Sequence, residues 1–195
     1  MAEKIVVFDF DGTLTVCDTL PYLLKGIGHY RGGYYRRLAL SVPWLVAYKL
    51  RLIPAGKSKQ RVTSMFVKGM TLDDFDECCR KLVDEYKPKL LRPAVLEELQ
   101  RRLSDGDEVH VCTANYSRWV ELFLHPVKVP ILATGLEVRD GVLTGRFSTP
   151  NCNGEEKWTR LKPVVEEKGL PLVVYGDSKG DEAMMSHAQE KNWVK

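Results

Sequence analysis

Two aspartates one residue apart follow directly on the first apolar run of the chain. Asp9 and Asp11 come after residues 5–8, four β-branched or aromatic residues whose pattern predicts a buried strand. Open α/β sheets hold their ligands at the carboxyl ends of their strands, so both carboxylates are expected at a binding edge. Two carboxylates this close repel each other unless a cation or a phosphoryl group uses them. An isolated pair would be better explained as a solvated Asp-Gly turn, but the rest of the chain argues against that.

Further polar residues follow two later apolar runs, and one polar residue lies between these runs. Residues 109–112 and 172–175 have the pattern of strands, and strands that alternate with helical segments predict an α/β fold with a parallel sheet. The carboxyl ends of parallel neighbours meet at one edge, so we expect the polar residues to gather around Asp9. They are Thr113, Lys157, Asp177 and Asp181, and Ala114, which follows Thr113, is a further candidate for phosphate binding. Asn115 could contact phosphate or cap the helix that follows it, and we favour the cap.

Paired carboxylates beside a hydroxyl and a lysine have the composition that phosphoryl transfer requires. Asp9 would attack phosphorus and form an aspartyl-phosphate, while Asp11 would protonate the leaving oxygen and later activate water. Asp177 would contribute to a site for a hard divalent cation, for which we expect Mg²⁺. Thr113 and Lys157 would hold phosphate oxygens by hydrogen bond and by charge.

In this order, the residues resemble the four motifs of the haloacid dehalogenase superfamily. The motifs are Asp9-Phe10-Asp11-Gly12-Thr13-Leu14-Thr15, then Thr113, then Lys157, and finally Gly176-Asp177-Ser178-Lys179-Gly180-Asp181. The Gly-Glu-Glu-Lys stretch that ends at Lys157 is most similar to the phosphoserine-phosphatase-like branch. The resemblance implies a Rossmann-like core, Mg²⁺ dependence and attack by Asp9. It further implies that Asp11 binds the metal through its backbone carbonyl, that Asp177 is a metal ligand and that Asp181 supports the metal site.

The chain is predicted to have a catalytic core interrupted by a helical cap. Residues 16–92 have an almost wholly helical pattern, and a helical insertion of this length after the first motif resembles the small cap of the superfamily. We therefore assign residues 1–15 and 93–195 to the core and 16–92 to the cap. Within the cap, Thr71 is predicted to begin a helix that Pro88 closes. Asp140-Gly141 predicts a two-residue hairpin turn.

Two residues are candidates for substrate specificity. In phosphoserine phosphatases an acidic residue after the first motif and an arginine of the cap hold the amino acid, and Asp18 and Arg61 stand at comparable places. The match is imperfect, because Asp18 is the shorter acid and the cap departs from that pattern. The alternative is that Asp18 caps the next helix and that Arg61 is a solvated base.

The charge of the chain is unevenly distributed. Its net charge of +3 points to no nucleic-acid partner, but residues 19–72 contain ten basic residues and no acidic one. Residues 34–53 mix these bases with aromatic and aliphatic side chains, a composition typical of helices at anionic membrane surfaces. The segment also resembles the cap of some phosphatidylglycerophosphate phosphatases of the superfamily. Alternatively, the apolar side chains pack inside the cap and the bases stay solvated.

Three functions are compatible with these patterns. The first is a Mg²⁺-dependent phosphatase acting on a small phosphorylated metabolite such as phosphoserine. The second is a membrane-surface phospholipid phosphatase whose cap makes a peripheral membrane contact. The third is a receiver-like module that keeps its phosphate on aspartate, but this function leaves Asp11 and the cap without a role.

The compartment is predicted to be the cytoplasm. The five cysteines are an odd number without a metal-ligand spacing, which indicates free thiols in a reducing environment. Acidic residues interrupt the amino-terminal stretch, which therefore lacks the pattern of a signal peptide. The longest apolar run, residues 42–48, is far shorter than the ~20 residues of a membrane-spanning helix.

Overall fold

A five-stranded parallel sheet forms the centre of the computed structural model, which describes residues 3–195. The described residues contain seven strands, five of which form this sheet. They are β1 (Ile5–Phe8), β2 (Glu108–Tyr116), β3 (Ile131–Thr134), β4 (Leu136–Arg139), β5 (Val142–Phe147), β6 (Leu172–Gly176) and β7 (Glu190–Trp193). The sheet has the order β3-β2-β1-β6-β7, and every neighbouring pair in it is parallel. β4 and β5 form a separate antiparallel pair. The predicted α/β class with a Rossmann-like parallel sheet is confirmed.

Eight α-helices are found in residues 3–195. They are α1 (Leu20–Tyr30), α2 (Tyr34–Lys49), α3 (Ala55–Val67), α4 (Leu72–Leu90), α5 (Pro93–Ser104), α6 (Ser117–Leu124), α7 (Glu155–Lys168) and α8 (Glu182–Ser186). None of the helices in this described range is long and apolar enough to cross a membrane.

The central strand β1 is buried on both of its faces, as expected where helices cover a parallel sheet. Ile5 and Val7 share a cluster with Leu161 of α7 on one face. On the opposite face Phe8 stacks against Tyr175, with their ring centroids 4.3 Å apart. The register pairs Phe8 with Val111 on one side and with Tyr175 on the other, so β1 and β6 end at nearly the same level, whereas β2 continues to Tyr116. Asp9 and Asp177, which follow β1 and β6, therefore lie at one edge of the sheet together with the last residues of β2.

The chain forms two compact units. The first consists of the residues up to Thr19, Tyr86–Thr134 and Asn151–Lys195, and the second of Leu20–Glu85 and Gly135–Pro150. The sequence-based division keeps residues 135–150 in the core range, whereas in the structure β4 and β5 group with the helices of the second unit. Leu143 of β5 explains this grouping, because its carbonyl accepts from Gly69 N and its N donates to the Met70 carbonyl, both at 2.8 Å.

Several local predictions can be compared directly with the structure. Asp140 and Gly141 form the predicted hairpin turn with φ angles of 50° and 75°, and Thr71 Oγ1 accepts from Asp74 N at 3.1 Å at the start of α4. The predicted end of α4 at Pro88 is wrong, since the helix runs to Leu90. Proline removes a single hydrogen bond in this last turn, and the following bond, from Leu91 N to the Lys87 carbonyl, is made at 3.1 Å.

Candidate active site

Asp9 lies at the carboxyl end of β1, near the middle of the sheet. Its N donates to the Tyr175 carbonyl of β6 at 2.9 Å, and its side chain is buried. Lys157 of α7 is also buried, and its Nζ donates to Asp9 Oδ1 and to Asp181 Oδ1 at 2.6 Å each. Because an unpaired buried charge is costly, the ammonium and the two carboxylates stabilise one another.

Asp177 completes a cluster of three carboxylates at this edge. One oxygen from each of Asp9, Asp177 and Asp181 lies within 4.8 Å of the other two. Asp181 Oδ2 accepts from the backbone N of Asp177 at 3.2 Å and of Ser178 at 3.1 Å. Asp181 thereby fixes both Lys157 and the loop that carries Asp177. The side chain of Asp177 is exposed. Clustered carboxylate oxygens are suitable ligands for a hard divalent cation.

The turn after β1 fits closely against this cluster. Gly12 has a φ of 81°, and a Cβ atom added there would lie 2.2 Å from Asp177 Oδ2. Thr15 Oγ1 accepts from Gly12 N at 3.3 Å and donates to the Cys17 carbonyl at 2.8 Å, which holds the turn in place. Glycine is therefore required for the backbone conformation, and a Cβ here would displace the Asp177 carboxylate from its position. The Asp-Gly turn exists, but it is part of the site and not a solvated loop.

The carboxylate of Asp11 is held apart from the cluster by a separate network. Its Oδ1 accepts from Thr19 N at 2.8 Å and from Thr19 Oγ1 at 2.7 Å, and its Oδ2 accepts from Asn115 Nδ2 at 2.9 Å. Thr19 Oγ1 also accepts from Trp119 Nε1 at 2.8 Å. The side chain is thus oriented by three donors, and the carboxylate cluster contains Asp9 but not Asp11.

Thr113 and Ala114 lie within β2, close to its end at Tyr116, and not after the strand as the sequence predicted. Thr113 is buried, and its Oγ1 accepts from Asn115 N at 3.0 Å. The Ala114 carbonyl accepts from Thr134 Oγ1 at 2.7 Å. The prediction that Asn115 caps a helix is wrong, because α6 begins at Ser117 and the amide of Asn115 binds Asp11. Local spacing suggested a cap, whereas the contact with Asp11 requires two strands to be neighbours.

The charged groups at this edge have perturbed pKa values. Burial raises the pKa of Asp9 to about 7, although Lys157 acts in the opposite direction. Burial also raises the pKa of Asp11, with a further contribution from the nearby Asp18. For Lys157, burial by itself would lower the pKa, but the adjacent carboxylates outweigh it and the net shift is upward. Perturbed carboxylates gathered at one sheet edge are typical of a functional site.

A family model for haloacid dehalogenase-like hydrolases matches residues 6–186. The chain belongs to this family. The predicted family, and with it the prediction that the protein is an enzyme, is confirmed. In a haloacid dehalogenase-like hydrolase the predicted site residues are expected at one sheet edge, and the structure brings Asp9, Lys157, Asp177 and Asp181 together there.

Known proteins resemble the chain over most of its length. Protein CicA of Caulobacter vibrioides is 30% identical over 192 residues, which cover 97% of this chain and 85% of CicA. A Bordetella pertussis Tohama I protein of unknown function has a TM-score of 0.82 at 20% identity, with 98% of this chain and 89% of that chain covered. A phosphoserine phosphatase, solved as a phospho-aspartyl intermediate analogue, has a TM-score of 0.67 at 18% identity, with 98% and 86% covered. The two structures share the fold of this hydrolase.

The two candidates for substrate specificity lie in different surroundings. Asp18 is exposed and close enough to Asp11 to contribute to the upward shift of its pKa. Arg61 is exposed on α3, and its Cζ lies 5.1 Å from the centroid of the Trp44 ring. Substrate binding by either residue stays a prediction. Thr19 and Trp119 were not predicted to belong to the site, and Asn115 was assigned to a helix cap, because no motif marks residues that position Asp11 from other parts of the chain.

Proposed function

We propose that this hydrolase is a Mg²⁺-dependent phosphatase that cleaves phosphomonoesters through an aspartyl-phosphate on Asp9. One observation carries the proposal. Asp9 is buried just after the end of β1, and Lys157 Nζ lies 2.6 Å from its Oδ1. One carboxylate oxygen of Asp9 lies within 4.8 Å of one carboxylate oxygen each of Asp177 and Asp181. This arrangement supplies a nucleophile, a fixed positive charge for phosphate oxygens and a donor set for a cation.

In the first step a carboxylate oxygen of Asp9 attacks phosphorus, and the bond from phosphorus to the ester oxygen breaks. The carboxyl group of Asp11 gives its proton to that leaving oxygen, so the product is an alcohol. In the second step water attacks the phosphorus of the aspartyl-phosphate, and Asp11 accepts a proton from this water. Phosphate leaves, and both carboxyl groups return to their starting states. Thr19 and Asn115 hold Asp11 in one orientation for both transfers.

The carboxylate cluster fits a divalent cation in its donor atoms and its charge. When ionised, the three carboxylates of the cluster and the ammonium of Lys157 leave two formal negative charges. Asp9 and Asp177 would hold the metal through carboxylate oxygens, Asp181 would support the site, and Asp11 would contribute its backbone carbonyl. When bound, Mg²⁺ would offset the repulsion between the phosphate and the attacking carboxylate.

For the substrate we propose a small phosphorylated metabolite, with phosphoserine as the first candidate. The likeness of the fold to phosphoserine phosphatases supports this choice. Asp18 and Arg61 carry the charges that would hold the amino and carboxylate groups of phosphoserine. We propose the cytoplasm as the location, and the five free thiols of the described chain support a reducing compartment.

Phosphate release from a panel of substrates tests the proposal. The panel contains phosphoserine, sugar phosphates, nucleotides and phosphatidylglycerophosphate, each with Mg²⁺ and with EDTA. Asp9→Asn should abolish turnover and EDTA should suppress it. Asp73→Asn, at an exposed position on α4, is the matched control and should retain full activity. Turnover that persists in Asp9→Asn would overturn the mechanism.

The lifetime of the phosphorylated protein separates a phosphatase from a receiver-like module. A phosphatase should lose the phosphoryl group within a single turnover, because Asp11 activates the water that attacks it. Acid quenching of the wild type and of Asp11→Asn during a reaction with acetyl phosphate measures this lifetime. A phosphoaspartate that lasts for minutes in the wild type would favour the receiver-like function.

A further inference from the structure

Helix α2 leaves most of its large aliphatic side chains exposed, while its inner side carries a buried serine and an arginine beside two aromatic residues. In the second unit it packs against α1 and α3. On its inner side Ser41 is fully buried, and Arg37 donates to the Met65 carbonyl of α3. Tyr34 and Trp44 are half-buried on the same side. An amphipathic helix of a water-exposed protein ordinarily has the opposite arrangement, so the outer side requires an explanation.

The outer apolar side chains form one stripe along α2. Among the described residues, fourteen large hydrophobic side chains are exposed, and nine of these lie between residues 35 and 52. Helical spacing places five of them on one face, and these are Tyr35, Leu38, Val42, Leu45 and Val46. Just after the helix, Leu50 and Leu52 are 63% and 73% exposed. A contiguous exposed apolar patch of this kind marks an interaction surface.

The charges around the stripe have a single sign. Arg36, Lys49 and Arg51 are exposed beside or just beyond it. Residues 19–72 contain no aspartate or glutamate, so no acidic side chain of this segment neutralises them. By contrast, Arg31 and Arg37 donate to backbone carbonyls within the second unit and have structural roles. The exposed bases are therefore available to an anionic partner.

We propose that this α2 surface, made up of Tyr35, Leu38, Val42, Leu45, Val46, Leu50 and Leu52 with Arg36, Lys49 and Arg51, docks on an anionic lipid bilayer. Apolar side chains would enter the boundary between headgroups and acyl chains, while the bases would bind lipid phosphates. The contact would be peripheral, because no helix of residues 3–195 is suited to span a membrane.

Charge complementarity favours a bilayer over a second copy of the chain. In a symmetric dimer the same patch meets itself, so the bases would approach bases without an acidic counterpart. An anionic bilayer instead supplies an apolar interior and negative charge together. The proposal does not depend on the reaction catalysed at Asp9.

Vesicle co-sedimentation of the full chain tests the proposal. The protein should sediment with phosphatidylcholine vesicles that contain about one third phosphatidylglycerol, and it should stay in solution with phosphatidylcholine alone. Two double variants should each weaken binding roughly tenfold or more: Leu38→Ser with Leu45→Ser, and Lys49→Glu with Arg51→Glu. Added salt should weaken binding of the wild type.

Matched controls lie elsewhere on the surface. Leu103→Ser with Val138→Ser removes two exposed apolar side chains, and Lys128→Glu with Lys191→Glu makes the same change in charge. Both controls should bind as the wild type does. All four variants should hydrolyse a soluble aryl phosphate at the wild-type rate, and circular dichroism verifies their folding.

Three outcomes would overturn the proposal. The first is no sedimentation with the anionic vesicles. The second is equal binding to neutral vesicles, which would remove the role of the bases. The third is a dimer, seen by analytical ultracentrifugation, that Leu38→Ser with Leu45→Ser dissociates, because the surface would then be an interface between copies.

Discussion

The carboxyl edge of the sheet, where we propose catalysis, and the outer face of α2 both reverse the usual placement of side chains. At the sheet edge, charged groups such as Lys157 and Asp181 are buried, whereas on α2 residues such as Leu38 and Leu45 are exposed. Each buried charge has partners at hydrogen-bond distance, so folding depends on the whole set. The exposed apolar side chains of α2 leave apolar area in contact with water. Charges that are buried together with their partners therefore indicate a built site, whereas the exposed apolar side chains of α2 form the surface for which we propose lipid binding.

The largest effect is expected from removing the central charge of the sheet edge. Lys157→Met would leave Asp9 and Asp181 buried without their cation, and should lower the free energy of unfolding by roughly 3–5 kcal/mol. Lys162→Met, at an exposed position on the same helix, should change it by less than about 0.5 kcal/mol. Urea denaturation of both variants measures the difference. Equal stabilities would show that the buried charges are not energetically coupled.

The network around Asp11 should have a smaller effect on stability and a larger one on catalysis. Thr19→Val keeps the shape of the side chain but removes a hydroxyl that donates to Asp11 and accepts from Trp119. We expect a loss of about 1–3 kcal/mol in unfolding free energy and a fall in kcat with little change in KM. Thr19→Ser keeps the hydroxyl and should restore most of kcat. A Ser variant as slow as the Val variant would contradict the positioning role.

The hydrogen-bonded group around Glu98 lies outside the site, and its contribution to stability should depend on pH. Hydrogen bonds from Arg101, Tyr175 and Arg102 lower the pKa of Glu98 to about 2, against the opposing effect of burial. A carboxyl group whose pKa is lowered by folding stabilises the folded state at pH values above its unfolded pKa of about 4.3. This contribution is lost as the pH falls towards 2. At pH 6 the free energy of unfolding of the wild type should exceed that of Glu98→Gln by about 1–2 kcal/mol, after allowance for solvent screening.

Unfolding curves of the wild type and Glu98→Gln, recorded between pH 6 and pH 2.5, measure this difference. The difference in the free energy of unfolding should decrease steadily as the pH falls. A gap that is independent of pH would show that the variant acts through packing and not through charge.

The smallest effect is expected on the outer face of α2. Leu38→Ser with Leu45→Ser should change the unfolding free energy by no more than about 0.5 kcal/mol, because both side chains are already exposed to water. Leu99→Ala on α5, where the side chain is fully buried, should cost about 2–5 kcal/mol. Thermal denaturation compares the two. A large loss in the α2 variant would show that its apolar residues contribute to the folded unit after all.

Much of the catalytic edge could be predicted from the sequence because its residues follow apolar runs. Asp9 and Asp177 are placed by strands whose pattern is local, and parallel pairing then brings their ends to one level. Lys157 could be predicted from its motif, although its double contact with Asp9 and Asp181 could not. Asn115 was interpreted as a helix cap, because local spacing cannot distinguish a cap from a contact across two strands.

The sequence by itself determined the α/β class, the family and most of the residues that lie together at the carboxyl edge of the sheet. Strand periodicity, turn residues and motif spacing are short-range properties, so they can be read along the chain. Only the tertiary structure decided that β4 and β5 group with the helices of the second unit, that Thr19 and Asn115 hold Asp11, and which face of α2 is exposed. These features depend on which segments are neighbours in space, and neighbours distant in sequence leave no periodic pattern.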